Sequence, residues 1–152
     1  MYPIFLVTFF GAMVMYYTAI DVPAKEAAFV ATKSDVVATN FFAYREAVQR
    51  YLQANPSATG TIDDTSLAPY WLPGYIRDPR WTNLVSGGTL YVYSTAPVDH
   101  GTISAIWRKS SGNLLAGTKS ITTGRLISFN GFDTGISLPA SITANAIVMM
   151  GR

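Results

Sequence analysis

The sequence predicts an α+β protein with an N-terminal transmembrane helix, followed by an amphipathic helix packed on an antiparallel β-sheet. Three observations lead there. Residues 1–20 carry no charged side chain, and Asp21 is the first. Val37, Phe41, Tyr44, Val48 and Tyr51 then recur at alternating spacings of four and three, the apolar stripe of a helix. From Thr89 onward, short runs of β-branched and aromatic residues alternate with Gly, Asn, Asp and Ser turns. Helices first and strands afterwards argue for an antiparallel sheet with the helix on one face.

The first element is read as a membrane anchor built by Ile4, Phe5, Leu6, Val7, Phe9, Phe10, Met13, Val14 and Met15. A helix rises about 1.5 Å per residue, so the uncharged run is about 30 Å long, the thickness of a bilayer's hydrocarbon core. Tyr16 and Tyr17 near its end suit the membrane interface. Two alternatives stay open. A cleaved signal peptide would need a basic n-region, which is missing, although Val22-Pro23-Ala24 is a conceivable cleavage site. A buried core helix is the other. With almost nothing ahead of the helix, the body is expected in the periplasm and the chain in the inner membrane as a single-pass protein. The expected division is 1–20 anchor, 21–55 helical stalk and packing helix, and 56–152 periplasmic antiparallel β domain.

Pro23 is expected to end the first helix, kink it or open a second at its first turn. Asn55-Pro56 stops the helix. Asp63 to Ser66 reads as the cap of a short helical turn. Pro69-Tyr70-Trp71-Leu72-Pro73-Gly74-Tyr75 reads as an ordered irregular loop. Expected strands are Leu90 to Tyr93, Thr102 to Trp107, Leu114 to Thr118, Arg125 to Ser128 and Gly135 to Leu138. Ala96 to Gly101, Ser110 to Asn113, Asn130-Gly131 and Asp133-Thr134-Gly135 are the expected turns. Asn145 to Met150 is apolar after its first residue, which predicts a central strand.

Composition narrows the chemistry. The 11 basic residues against 9 acidic ones are scattered, so no stripe is available to follow a phosphate backbone, and nucleic acid is not an expected partner. No Cys is present, which removes disulfides, thiolate ligands and a lipidated anchor. Gly87-Gly88 leads into a strand rather than a helix and forms no phosphate loop. His100, the only histidine, lies in an expected surface turn beside Asp99. Adjacent in sequence, the two cannot face each other as triad partners do. Asp63-Asp64 lacks the further oxygen ligands of a metal loop. No catalytic, cofactor or metal site is expected, and the protein is not read as an enzyme.

The aromatic residues carry more information. Tyr70, Trp71, Tyr75 and Trp81 crowd into and beside the irregular loop. They are candidates for a partner interface, where large rigid side chains cover much area for little entropy. The competing reading is that they plug the edge of the domain's own core.

The order of elements resembles the PilM family of plasmid-type thin-pilus (type IVb pilus) systems. The resemblance is carried by the uncharged segment 1–20, by Asn40-Phe41-Phe42-Ala43-Tyr44-Arg45-Glu46-Ala47-Val48, by Leu67-Ala68-Pro69-Tyr70-Trp71-Leu72-Pro73-Gly74-Tyr75, and by Leu90-Tyr91-Val92-Tyr93. It implies a non-catalytic inner-membrane component of a conjugative pilus basal body or assembly apparatus. Its implied partners are other pilus-assembly or secretion-system proteins, with a homo-oligomer also open. The layout is similar to that of a type IV pilin as well. However, no basic leader precedes Gly11, and the first Glu is Glu26. Processing by a prepilin peptidase is therefore not expected.

Overall fold

The computed structural model describes residues 2–151. By its internal contacts the chain resolves into two compact units, the first running to Lys33 and the second from Ser34. A single helix, α1 (Tyr2–Ala54), supplies the described residues of the first unit and the opening element of the second.

Pro23 lies inside α1, and the helix continues through it. Proline removes one backbone N–H and crowds the preceding turn, which is why an end or a kink was expected. Ala24, Ala27, Ala28 and Ala31 follow it directly, and alanine has the highest helix propensity. The helix ends at Ala54, ahead of Asn55-Pro56, as expected.

In the second unit, one face of α1 is buried through Ala38, Phe41, Tyr44, Ala47, Val48 and Leu52. Val37 and Tyr51 sit at the rim of that face. Asp63 caps α2 (Asp64–Leu67), accepting from the Ser66 N–H at 2.7 Å. A 3-10 turn, Ala68–Tyr70, opens the aromatic loop.

Six strands form one antiparallel sheet: β1 (Trp81–Ser86), β2 (Thr89–Ser94), β3 (Ala116–Lys119), β4 (Arg125–Ser128), β5 (Asp133–Ser137) and β6 (Ile147–Met150). Their spatial order is β1-β2-β6-β3-β4-β5, so β6 is central as its unbroken apolar character predicts. Strand alternation divides the side chains between two cores. Trp81, Val85, Leu90, Val92, Ala116, Ile147 and Met149 face α1. Tyr91, Tyr93, Leu126, Val148 and Met150 face the other way and pack with Leu138, Ile142 and Ala146. Lys119 holds that covering segment by donating from Nζ to the carbonyls of Pro139 (2.9 Å) and Ile142 (2.6 Å).

Three expectations are corrected. Residues Thr102 to Trp107 are not a strand but lie in α3 (His100–Lys109). Thr102, Ala105 and Ile106 are its buried residues, a three-and-four spacing that β-branched composition concealed. Asp99 caps α3: one carboxylate oxygen accepts from the Thr102 N–H at 2.8 Å, the other from the Thr102 hydroxyl at 2.7 Å. Secondly, the sheet begins before Thr89. β1 pairs with β2 through a two-residue turn at Gly87 and Gly88, both at positive φ (57° and 75°). Thirdly, Asp133 to Gly135 belong to β5 rather than to a turn.

Two outcomes follow from this packing. Gly117 faces the β4 backbone so closely that a Cβ there would meet the Ile127 carbonyl oxygen and lie 2.8 Å from the Ser128 Cα. Gly117→Ala is expected to lower stability by about 3 kcal/mol, read by denaturant unfolding; an unchanged midpoint would contradict the close approach. Asp99→Ala is expected to lose about 1 kcal/mol of helix-cap stabilisation. Hydrogen bonds from Thr102 hold the Asp99 carboxyl below its ordinary value. Its stabilisation is therefore complete above the ordinary carboxylate pKa and fades as pH falls through the lowered one. The wild-type excess over Asp99→Ala should shrink on acidification, read as Tm against pH.

Candidate functional site

Two surfaces are candidates. The first is the apolar side of α1 in the first unit. Phe5, Leu6, Val7, Phe9, Phe10, Met13, Val14 and Met15 are all exposed, Phe5 and Met15 by about three quarters (74% and 75%). The side chain of Ile4 lies outside the described residues. Tyr16 and Tyr17 are exposed beside them. Phe29 and Val30 extend the apolar exposure beyond the expected anchor. By length and composition alone, this helix is able to cross a membrane.

The threonine hydroxyls on this stretch are turned back on the backbone. Thr8 donates to the Phe5 carbonyl, Thr18 to those of Val14 and Met15, and Thr32 to that of Ala28, at 2.9–3.0 Å. A hydroxyl satisfied within its own helix can enter hydrocarbon without losing a hydrogen bond to water.

The second surface is the aromatic loop, and most of it is held by α1. Trp81 is fully buried at 0% exposure, so its expected place at an interface is corrected: it is a core residue. Its ring meets Phe41 edge-on at 4.9 Å, and its Nε1 donates to the Asn40 side-chain oxygen at 3.1 Å. Trp71 is half-buried, stacked on Tyr75 at 4.9 Å and on Tyr44 at 5.9 Å. Tyr75 donates from its hydroxyl to Asn40 at 3.2 Å. Tyr70 is half-buried against Tyr51, edge to face at 5.6 Å. The outer faces of Tyr70, Trp71 and Tyr75 are what the loop still offers a partner.

Two asparagines, not singled out by the sequence, organise these contacts. Asn40 accepts from Tyr75 and Trp81 and donates to the Ile76 carbonyl at 2.7 Å. Asn83, fully buried on β1, accepts from the Ile62 N–H and donates to the Ile62 carbonyl, both at 2.9 Å. It also donates to the Tyr44 hydroxyl at 2.7 Å. Arg77 closes the cluster, pairing with Asp64 at 2.8 Å and lying over the Tyr44 ring. Burial pushes the Tyr44 hydroxyl above the ordinary tyrosine value, against the opposing pull of Asn83 and Arg77. Burial, reinforced by Tyr44, raises Tyr75 too. Both hydroxyls stay protonated near neutrality and serve as fixed hydrogen-bond groups. The signal for Asn83 was its place between Thr82 and Leu84, on the inward side of an alternating run.

His100 is exposed at the start of α3, in a groove of about 560 Å³ that Ser94, Pro97, Thr143 and Asn145 also line. Asp99 turns its oxygens to Thr102 and Ser34. Among the described residues, no three His, Cys, Asp or Glu side chains gather as a metal site would require. Asn83→Ala is expected to cost about 3 kcal/mol, because it strands the buried backbone groups of Ile62. Trp81→Ala should cost about 3–5 kcal/mol through the cavity it opens. Trp71→Ala should cost less than Trp81→Ala. Thermal unfolding followed by circular dichroism checks that order.

The comparisons with known proteins bear on this architecture as a whole. The sequence profile of the PilM family matches residues 9–150. Among solved structures, the chain is similar to a PilM protein from Escherichia coli B7A, with 23% identity and a TM-score of 0.59 over 83% of this chain and 94% of that one. It is also similar to a PilM protein from Pseudomonas aeruginosa 2192, with 28% identity and a TM-score of 0.42 over 78% of this chain and 95% of that one. No curated protein matches the chain. With the family profile covering nearly its whole length, the chain belongs to the PilM family.

Proposed function

We propose that this protein is a membrane-anchored, non-catalytic component of a type IV pilus basal body or assembly apparatus, of the conjugative thin-pilus kind. It acts through protein–protein contacts. The observation that carries the reading is the pairing of PilM family membership with an α1 whose described apolar side chains from Phe5 to Val30 are exposed. An exposed surface of that size is unfavourable in water and favourable in lipid. Residues 1–20, the start of α1, lie in the inner membrane as a single span, and the second unit stands in the periplasm. Its partners are other pilus-assembly or secretion-system proteins.

A second reading is a pilin-like subunit that polymerises through α1. It is favoured by one observation: a single helix that is apolar and exposed at its start packs farther along on an antiparallel sheet. Isolation of sheared filaments separates the two. This chain as their major component would replace the first reading with the second.

Membrane attachment has a direct test. The wild-type chain is expected to stay in the membrane pellet after alkaline carbonate extraction. Phe9→Arg with Met13→Arg should release most of it, since each central Arg opposes insertion by about 2.5–3.5 kcal/mol. Release of the full-length wild-type chain would refute the anchor.

A further inference from the structure

Charge pairing in the second unit leaves one conspicuous remainder. Its seven carboxylate side chains all have assigned roles. Asp35 pairs with Arg108, Glu46 with Arg50, Asp64 with Arg77, Asp78 with Arg80 and Asp133 with Arg125. Asp63 and Asp99 cap α2 and α3. Arg45 is the arginine left over among the described residues. It is half-buried on α1, and its Nε is fully buried without a hydrogen-bond partner. Arg77 also has an unpartnered Nε, but its two Nη atoms are held by Asp64 and by the Trp81 carbonyl.

Gly151 stands beside the Arg45 guanidinium. Gly151, just after β6, has a φ of 123° and places no side chain against the guanidinium. A Cβ there would stand 3.5 Å from the Arg45 Nη2. Desolvation without a counter-charge also lowers the affinity of Arg45 for its proton. A partly desolvated guanidinium without an anion is unfavourable, and pairing with a carboxylate relieves it.

We propose that Arg45 is the docking charge of an interaction surface on α1 beside the end of β6, and that it takes an Asp or Glu carboxylate of a partner protein. The idea rests on the protein-contact role proposed above and names the chemistry of the contact. A single guanidinium carries one positive charge and is balanced by one carboxylate, whereas a phosphate group brings up to two negative charges.

The test uses the full chain in detergent and in cells. Arg45→Met removes the charge and keeps the length of the side chain. Tm is expected to hold or to rise by about 2–5 °C, because an unpaired, partly buried charge is removed. A purely structural arginine would lower Tm instead, and that result overturns the proposal. In cells, a photo-cross-linking amino acid at Gln49, one turn along α1, is expected to capture a pilus-apparatus protein through a segment containing Asp or Glu. Arg45→Met should reduce that cross-link by about tenfold. Arg45→Glu combined with Asp→Arg or Glu→Arg in the captured segment should restore it.

A cross-link to the same partner that is indifferent to Arg45, or a charge exchange that restores nothing, overturns the proposal and leaves the protein-contact role standing. Capture of phospholipid in place of protein overturns it as well. The protein-contact role fails separately, if cross-linkers at both Gln49 and Tyr70 capture no pilus-apparatus protein.

Discussion

The side-chain amide of Asn83 ties three segments of the second unit together. From the inward face of β1 it reads both backbone groups of Ile62 and reaches Tyr44 on α1. The amide thus acts as one more backbone unit, pairing with Ile62 where no regular strand runs. Buried polar groups are tolerable only when their hydrogen bonds are made. The position of β1 against α1 is therefore fixed by direction as well as by packing area. Apolar contact alone, such as Phe41 on Trp81, would allow sliding that this geometry forbids.

Asn40 repeats the device one turn earlier on α1, gathering Tyr75, Trp81 and the Ile76 carbonyl. An irregular loop needs such anchors because it has no ladder of its own. The aromatic rings then stack in sequence, Tyr44 to Trp71 to Tyr75, and the loop becomes a wall of the core. What remains for partners is its outer skin. The same helix face thus supports the loop, and the neighbouring face offers Arg45.

Much of this was legible in the residues, and the exceptions have physical causes. The α1 stripe, the α2 cap, β2, β4 and the central β6 are elements in which local propensity and burial agree. Thr102-Ile103-Ser104-Ala105-Ile106 misled because β-branched side chains favour strands locally. The helix there is set by the Asp99 cap and by burial of one face against the core. β1 is the harder strand to read because Asn83 interrupts its apolar alternation; the polar side chain is at home facing inward because Ile62 stands opposite and takes up its hydrogen bonds. Pro23 stays within α1 because alanine-rich turns follow it. The Pro- and Gly-rich composition of the aromatic loop speaks for an ordered irregular segment, but which rings face inward depends on Asn40, whose contacts are distant in sequence. The isolation of Arg45 appears only when every carboxylate has been placed.

The narrow seat of Gly117 reaches beyond stability. Gly117 stands opposite Ser128, where the β4 backbone crowds the space a side chain would fill. Its neighbours in the strand are Ala116 and Thr118. Were β3 to slide by one residue, a methyl or a branched side chain would enter the slot that only hydrogen occupies. The hairpin therefore works as a keyed lock with a single accepted alignment. Because β3 also borders the central β6, that key sets the alignment of the strands on both sides of it as the sheet closes.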